Sequence, residues 1–316
     1  MVHVAGIPDF VLWISFIILI LFFLLIDLFL FSKKAHKVSM KEALIWTGVW
    51  VSLALLFNLF VLLEFGSETA LQFFTGYLLE KSLSVDNIFV IFLIFASFHI
   101  EPKFQQRILL WGIIGALVMR GIFIGIGAAL ISRFEWILYV FGAFLVYSGA
   151  MMFFKGEKDF DPHKSPVVRL VRRFVHVSRE HSKGNFIVKH RGRFAGVTIL
   201  FVALCVVEFS DIIFAVDSIP AIFGITTDPF IVFTSNIFAI LGLRSLYFVV
   251  ARAHDDFRYL GTGVAVVLLF IGLKMLLGHW FHISNILSLF VILGILALAI
   301  VASLLHKRPA KGSSSR

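Results

Sequence analysis

Five carboxylates, Glu80, Asp86, Glu208, Asp211 and Asp217, interrupt stretches that are otherwise apolar enough to cross a membrane. A carboxylate near the centre of a spanning helix costs roughly 2.5–3.5 kcal/mol on insertion scales, so such acids face protein or water and bind something. They fall into two matched sets, Glu80-Lys-Ser-Leu-Ser-Val-Asp86 and Asp211-Ile-Ile-Phe-Ala-Val-Asp217. Each set is an acid, five residues, then Asp preceded by Val, and the chemistry it suggests is cation handling. Asn87 and Ser218 follow the second acid of each set and extend the donor list. With no Cys or His inside the motifs, the candidate ligands Asp86, Asp217, Glu80, Asp211, Glu208, Asn87 and Ser218 are all oxygen donors. Such a set suits a hard dication such as Mn²⁺, Mg²⁺ or Ca²⁺. Glu208 and Asp211 are three residues apart and share a helix face.

The spacing constrains how the acids work. Six residues on a helix advance about 600°, which leaves two side chains about 120° apart and about 9 Å apart along the axis. Asp211 and Asp217 therefore cannot hold one ion on an unbroken helix. Either the helix breaks or the two acids serve different steps. Pro220 favours a break, because it removes the hydrogen bond to the carbonyl of Val216. The first set has no proline, although Ser82, Ser84 and Asn87 could assist an irregularity. Four cations, Lys81, Arg120, Arg244 and Lys274, also fall inside spans and are expected to act as ion-pair or gating groups. Structural pairing is the competing role for some of the acids, Glu80 and Glu208 above all. Asp27, near the end of the first span, joins the ion-pair group by snorkelling. His279 and His282 read as interfacial. No phosphate-binding loop is present for ATP-driven work. Protons, which compete with a dication for buried carboxylates, are the expected coupling ion. No nucleophile-plus-base arrangement or HExxH helix is present either, so the chain is not expected to be an enzyme and is expected to hold no permanent cofactor.

The elements that position these residues are helices in a bilayer. The 316 residues are 60% hydrophobic and only 15% charged, with a mean hydropathy of +0.99. Apolar runs near the length of a span recur throughout. Nine spans are expected, about 10–31, 42–63, 71–98, 108–131, 136–154, 195–224, 230–251, 260–280 and 284–305. The fold class is thus all-α and polytopic. If the N-terminus lies outside, 28 Lys and Arg residues divide very unevenly. Only Arg133 falls on the outer side, the four intramembrane cations fall inside spans, and all others are cytoplasmic. This bias predicts N-out and C-in, and it explains the net charge of +9 without a nucleic-acid partner. The first span lacks a basic leader and ends at Ser32-Lys33-Lys34, which reads as a retained helix. The single Cys205 allows no intramolecular disulfide.

One long hydrophilic segment, residues 156–193, separates two related halves. It is expected to hold a short basic amphipathic helix on anionic lipid and a small hairpin over Asn185 to Arg193. Glu80 aligns with Asp211 and Asp86 with Asp217, both 131 residues apart. Arg120 aligns with Arg244 at 124, and Gly149 with Gly272 at 123. Four landmarks in one order predict a duplicated three-helix unit. Its copies start three crossings apart and so run in opposite directions, and such inverted repeats place a substrate site at their midplane interface. The expected organisation is a two-helix segment (1–66), a first repeat (67–155), the basic loop (156–193), a second repeat (194–283), and a last helix with its tail (284–316).

The stretch Val207-Glu-Phe-Ser-Asp-Ile-Ile-Phe-Ala-Val-Asp-Ser-Ile-Pro-Ala-Ile222 closely resembles the signature of the TerC family of integral membrane proteins. Ser82-Leu-Ser-Val-Asp-Asn-Ile-Phe89 resembles the earlier acidic motif of the family, and Asp27-Leu28 followed by Phe31 its first-span motif. The likeness runs from about residue 12 to 305 and is nearest to the Alx-like branch. It implies a multi-pass protein of the plasma (inner) membrane that exports Mn²⁺, with a historical link to tellurite resistance. The functional acids it implies are Glu80, Asp86, Glu208, Asp211 and Asp217, assisted by Asn87 and Ser218. The alternative is a scaffold for other membrane or exported proteins with no flux of its own. No protein partner is assigned.

Overall fold

A computed structural model describes residues 8–32, 39–134, 136–155, 166–174, 177–178, 185–190, 193–250, 259–278, 280–281 and 283–306. The helices are α1 (Asp9–Ser32), α2 (Met40–Phe65), α3 (Ser67–Ser97), α4 (Pro102–Arg133), α5 (Ile137–Lys155), α6 (Pro166–Phe174), α7 (Ile199–Phe223), α8 (Pro229–Ile240), α9 (Leu243–Val250), α10 (Leu260–Leu277) and α11 (Asn285–Leu305). Three strands, β1 (Val177–Ser178), β2 (Ile187–His190) and β3 (Arg193–Thr198), lie between α6 and α7. The protein is an all-α polytopic membrane protein with one small sheet.

Local sequence sets the helix starts. The Ser39 hydroxyl accepts from the Glu42 N–H at 3.1 Å, while the Ser39 N–H donates to Glu42 Oε2 at 3.4 Å, a reciprocal capping box that opens α2. Asp228 accepts from the N–H groups of Phe230 and Ile231, with Pro229 in the first helical position, and so opens α8. The long apolar helices are apolar all round, so the pattern that matters is which small stripe is buried. In α2 that stripe is Ala43, Trp50, Ala54 and Val61, while Leu44, Ile45, Leu55, Leu56 and Leu63 face outwards.

Among the described residues six helices, α2, α4, α5, α7, α10 and α11, are individually long and apolar enough to cross a membrane, and the count reaches seven when the bent pair α8–α9 is taken as one span. The nine expected from sequence exceed this count for two reasons. In α1 only the apolar stretch Phe10–Ile26 falls within the described side chains. In α3 the charges Glu68, Glu80, Lys81 and Asp86 leave no 18-residue window with fewer than three of them. The span expected over 230–251 is split at Leu241–Gly242 with a bend of 46°. Gly242 sits at φ +83°, and a Cβ there would lie 2.7 Å from the Trp50 side chain of α2, so both its backbone and its packing call for glycine.

The hydrophilic loop holds α6, packed on α7, and the three-stranded sheet in the order β1-β3-β2. β2 and β3 form the antiparallel hairpin, with an irregularity between Val188 and Lys189. β3 continues to Thr198, which moves the start of α7 from the expected 195 to Ile199.

Helix packing brings the two halves together: α3 lies against α7 and α8, α4 against α7, and α5 against α10. The α5–α10 contact is made at glycines. A Cβ on Gly149 would stand 2.8 Å from the Ala265 carbonyl oxygen and 3.0 Å from the Leu269 nitrogen. A Cβ on Gly272 would stand 2.7 Å from the Gly142 carbonyl oxygen and 2.8 Å from the Val146 nitrogen. Adding 123 to 142, 146 and 149 gives 265, 269 and 272, so the two contacts are images of each other under the shift that aligns Gly149 with Gly272. Backbones that approach this closely leave no room for any side chain.

Candidate functional site

The first acids of the two motifs, Glu80 and Asp211, meet where α3, α4, α7 and α8 converge. Arg120 of α4 is fully buried, as is Glu80 of α3, and Asp211 of α7 is mostly buried. The guanidinium takes Asp211 in a two-pronged grip, with Nε donating to Oδ2 at 3.3 Å and Nη2 to Oδ1 at 3.0 Å. Its Nη1 donates to Glu80 Oε1 and to Asn236 Oδ1 of α8, the latter at 3.3 Å. Planar bidentate pairing is the strong form of this contact, and the low dielectric strengthens it further. The charges do not cancel: two carboxylates face one guanidinium. Among the described residues, Glu80 Oε2 and Asn236 Nδ2 are buried without a hydrogen-bond partner.

Asp217, the second acid of the later motif, lives differently. Ser148 of α5 donates to Asp217 Oδ1 at 2.6 Å, and no other hydrogen bond to Asp217 is formed among the described residues. The neighbouring Ser218 hydroxyl is buried without a partner. The break expected at Pro220 does not occur. α7 continues through Pro220 to Phe223, because the proline falls in the last turn, close to where the helix ends at Gly224. With the helix unbroken, Asp211 and Asp217 point about 120° apart. The two acids are therefore separate stations, one toward α4 and one toward α5.

The other candidates surround these two. Glu208 lies against α4, where its carboxyl group occupies the space a Cβ on Gly115 would need. Asn87 is buried and shares with Asp211 a cavity of about 20 Å³, also lined by Gly112, Val207 and Phe214. That is room for about one water. Lys81 donates to the Ala239 carbonyl at 3.1 Å, placing its charge at the C-terminal end of α8, where the helix dipole favours a cation. Lys274 donates to Asn285 Oδ1 at 3.4 Å. Both of these bonds go to neutral oxygens rather than to the acids. Arg244 is buried near the start of α9. Asp86 lies on α3 and Asp27 on α1, but their side chains are outside the described residues, as are His279 and His282. Among the described residues no three His, Cys, Asp or Glu side chains are grouped closely enough to hold one ion.

Sequence reasoning missed Asn236 and Ser148. Asn236 ends the polar triplet Thr234-Ser235-Asn236 within an apolar helix, and such a triplet is a signal for an inward face. Ser148 adjoins the repeat landmark Gly149 but by itself looks like any small residue of a packed span.

Residues 65–311 match the model of the TerC integral membrane protein family. The chain belongs to the TerC family. It is 48% identical over 304 residues to an uncharacterised membrane protein, STKORF319, of Myxococcus xanthus, covering 96% of this chain and 95% of that protein. It is 44% identical over 308 residues to the proposed membrane-bound redox modulator Alx of Escherichia coli (strain K12), covering 95% of both chains. The Salmonella typhi protein of the same name is 44% identical over 320 residues, covering 98% of both. No solved structure matches. The family match begins at the end of α2, so α1 and most of α2 precede it, and every acid of the two motifs lies within it.

Proposed function

We propose that this TerC protein exports divalent cations, Mn²⁺ foremost, across the plasma (inner) membrane in exchange for protons. The observation that carries the reading is the Arg120 centre. Carboxylates from two helices meet at a single guanidinium inside the membrane, and the excess negative charge attracts a cation. Asp217 with Ser218, and Asp86 with Asn87, supply oxygen donors beside it, one pair from each motif. The mirror-related glycine contacts of α5 and α10 support two inverted repeats, an architecture in which a midplane site is exposed alternately to the two sides. In this reading α1 and α3 also cross, which makes nine crossings with the N-terminus outside and the C-terminus cytoplasmic. The basic loop, with Arg169 and Arg173 exposed on α6, then lies against anionic lipid.

Relatives carry the name of a redox modulator. This sequence has one cysteine, so an internal dithiol couple is unavailable and metal supply is the simpler route to such an effect. The test is flux in proteoliposomes of the purified protein, with Mn²⁺, Mg²⁺ and Ca²⁺ offered with and without a pH gradient. Mn²⁺ flux that follows the gradient and is lost in Asp217→Asn is the expected result. Absence of flux for every ion from folded protein sinks the proposal. Removal of residues 158–183 separates the scaffold alternative, because an exporter keeps its flux without that segment.

A further inference from the structure

We propose that Glu80 and Asp211 form one shared clamp that changes arginines during transport. Arg120 holds it in the conformation described here, and Arg244 holds it in the conformation open to the opposite side. The inference rests on the exporter reading and names the switching device within it.

The relation between the halves sends Glu80 to Asp211 and Asp211 to Glu80, so the pair maps onto itself and straddles the pseudo-two-fold axis. The glycine contacts of α5 and α10 obey the same relation closely. A single guanidinium on such an axis cannot obey it. The image of Arg120 is Arg244, so the image of the present arrangement has Arg244 on the same two carboxylates.

The helices that carry the arginines depart from this symmetry. α4 is continuous from Pro102 to Arg133 and delivers Arg120 to the pair. Its counterpart is broken between α8 and α9, with Arg244 two residues beyond Gly242. Lys81, which bonds the Ala239 carbonyl at that break, maps to Ile212 in the other half. Asn236, which accepts from Arg120, maps to Gly112. Only the present state has these two extra bonds, so they bias the pair of states without forbidding the exchange. Swapping one guanidinium for another leaves one cation on the two carboxylates at both end points, and the hand-over is when a dication can reach them.

The test uses the full chain with Cys205→Ser and one reporter cysteine at a time, Ala116→Cys on α4 or Ala221→Cys on α7, both buried here. Arg120→Gln removes the clamp of the present state and raises maleimide reactivity at one or both positions, roughly fivefold or more. Arg244→Gln removes the alternative clamp and lowers reactivity at the same position. Two shifts in the same direction, or none, overturn the proposal. Should Arg120→Gln fail to fold, Gly242→Ala replaces it. Alanine disfavours φ +83° and its Cβ meets Trp50, so this variant disfavours the break and must raise reactivity, and failure to do so also overturns the proposal. Mn²⁺ flux is measured on the same preparations. Opposed shifts without flux remove the exporter reading and keep the exchange of arginines, whereas flux with unopposed shifts does the reverse.

Discussion

Asp211 and Asp217 stand six residues apart on one unbroken helix and live in opposite circumstances. Asp211 is gripped through both oxygens by Arg120, which also holds Glu80 and Asn236, so four helices share one charge cluster. Asp217 has one hydrogen bond from a serine on α5 and a second oxygen uncommitted among the described residues. A carboxylate that is fully engaged holds the protein together, while one that is lightly held is free to bind something else. In the proposed exporter the Arg120 centre organises the helices and draws the cation by its excess charge, while Asp217 offers a lightly held ligand.

Removing Arg120 is the most damaging change this comparison allows. Arg120→Ala leaves Glu80 and Asp211 buried and uncompensated, and is expected to destabilise the protein by about 3–5 kcal/mol. Thermal unfolding in detergent measures it. Adding Glu80→Gln and Asp211→Asn to the same chain removes the stranded charges and should recover most of the loss. A triple variant as unstable as the single one would mean that Arg120 acts by packing rather than by charge.

The next effect belongs to the α5–α10 contact. Gly272→Val forces a branched side chain against the Gly142 carbonyl and Val146, and is expected to cost about 1–3 kcal/mol. Gly48→Val on α2, where nothing lies within 4 Å of the added carbon, is the control and should leave the unfolding temperature nearly unchanged.

These contrasts show what the sequence could and could not disclose. The acids, the intramembrane cations and the six-residue spacing were legible, because charge in an apolar run and helical periodicity are local properties. The hairpin was legible for the same reason, as alternation near Asn185 to Arg193. The fate of Pro220 was not, since a proline breaks or merely terminates a helix according to how much helix follows it, and here only three residues do. The break at Gly242 was hidden inside an apolar run, because the close approach of Trp50 that calls for glycine there comes from another helix. Asn236 and Ser148 were missed because a small polar side chain in a span can bond its own backbone, and only tertiary packing decides whether it reaches across.

Ser148→Ala tests how lightly Asp217 is held. It removes one hydrogen bond to a partly buried carboxylate and is expected to cost about 0.5–1.5 kcal/mol, well below the loss at Arg120. A loss as large as that at Arg120 would erase the distinction between the two acids.

Asp217→Asn is expected to have the smallest effect on stability and to be the most informative. Asparagine keeps the carbonyl oxygen that accepts from Ser148, has nearly the same shape, and removes a charge that no described cation balances. The unfolding free energy should therefore shift by no more than about 0.5 kcal/mol, as for changes that break no buried network. A dication nevertheless loses its anionic ligand, so Mn²⁺-dependent flux should disappear from a protein that remains folded. Stability and flux move together for Arg120→Ala and separate for Asp217→Asn, and that separation is what distinguishes an acid that binds from an acid that braces. If Asp217→Asn unfolds the protein as Arg120→Ala does, Asp217 is bracing too, and the ligand must be sought among the remaining oxygen donors, Glu208 first.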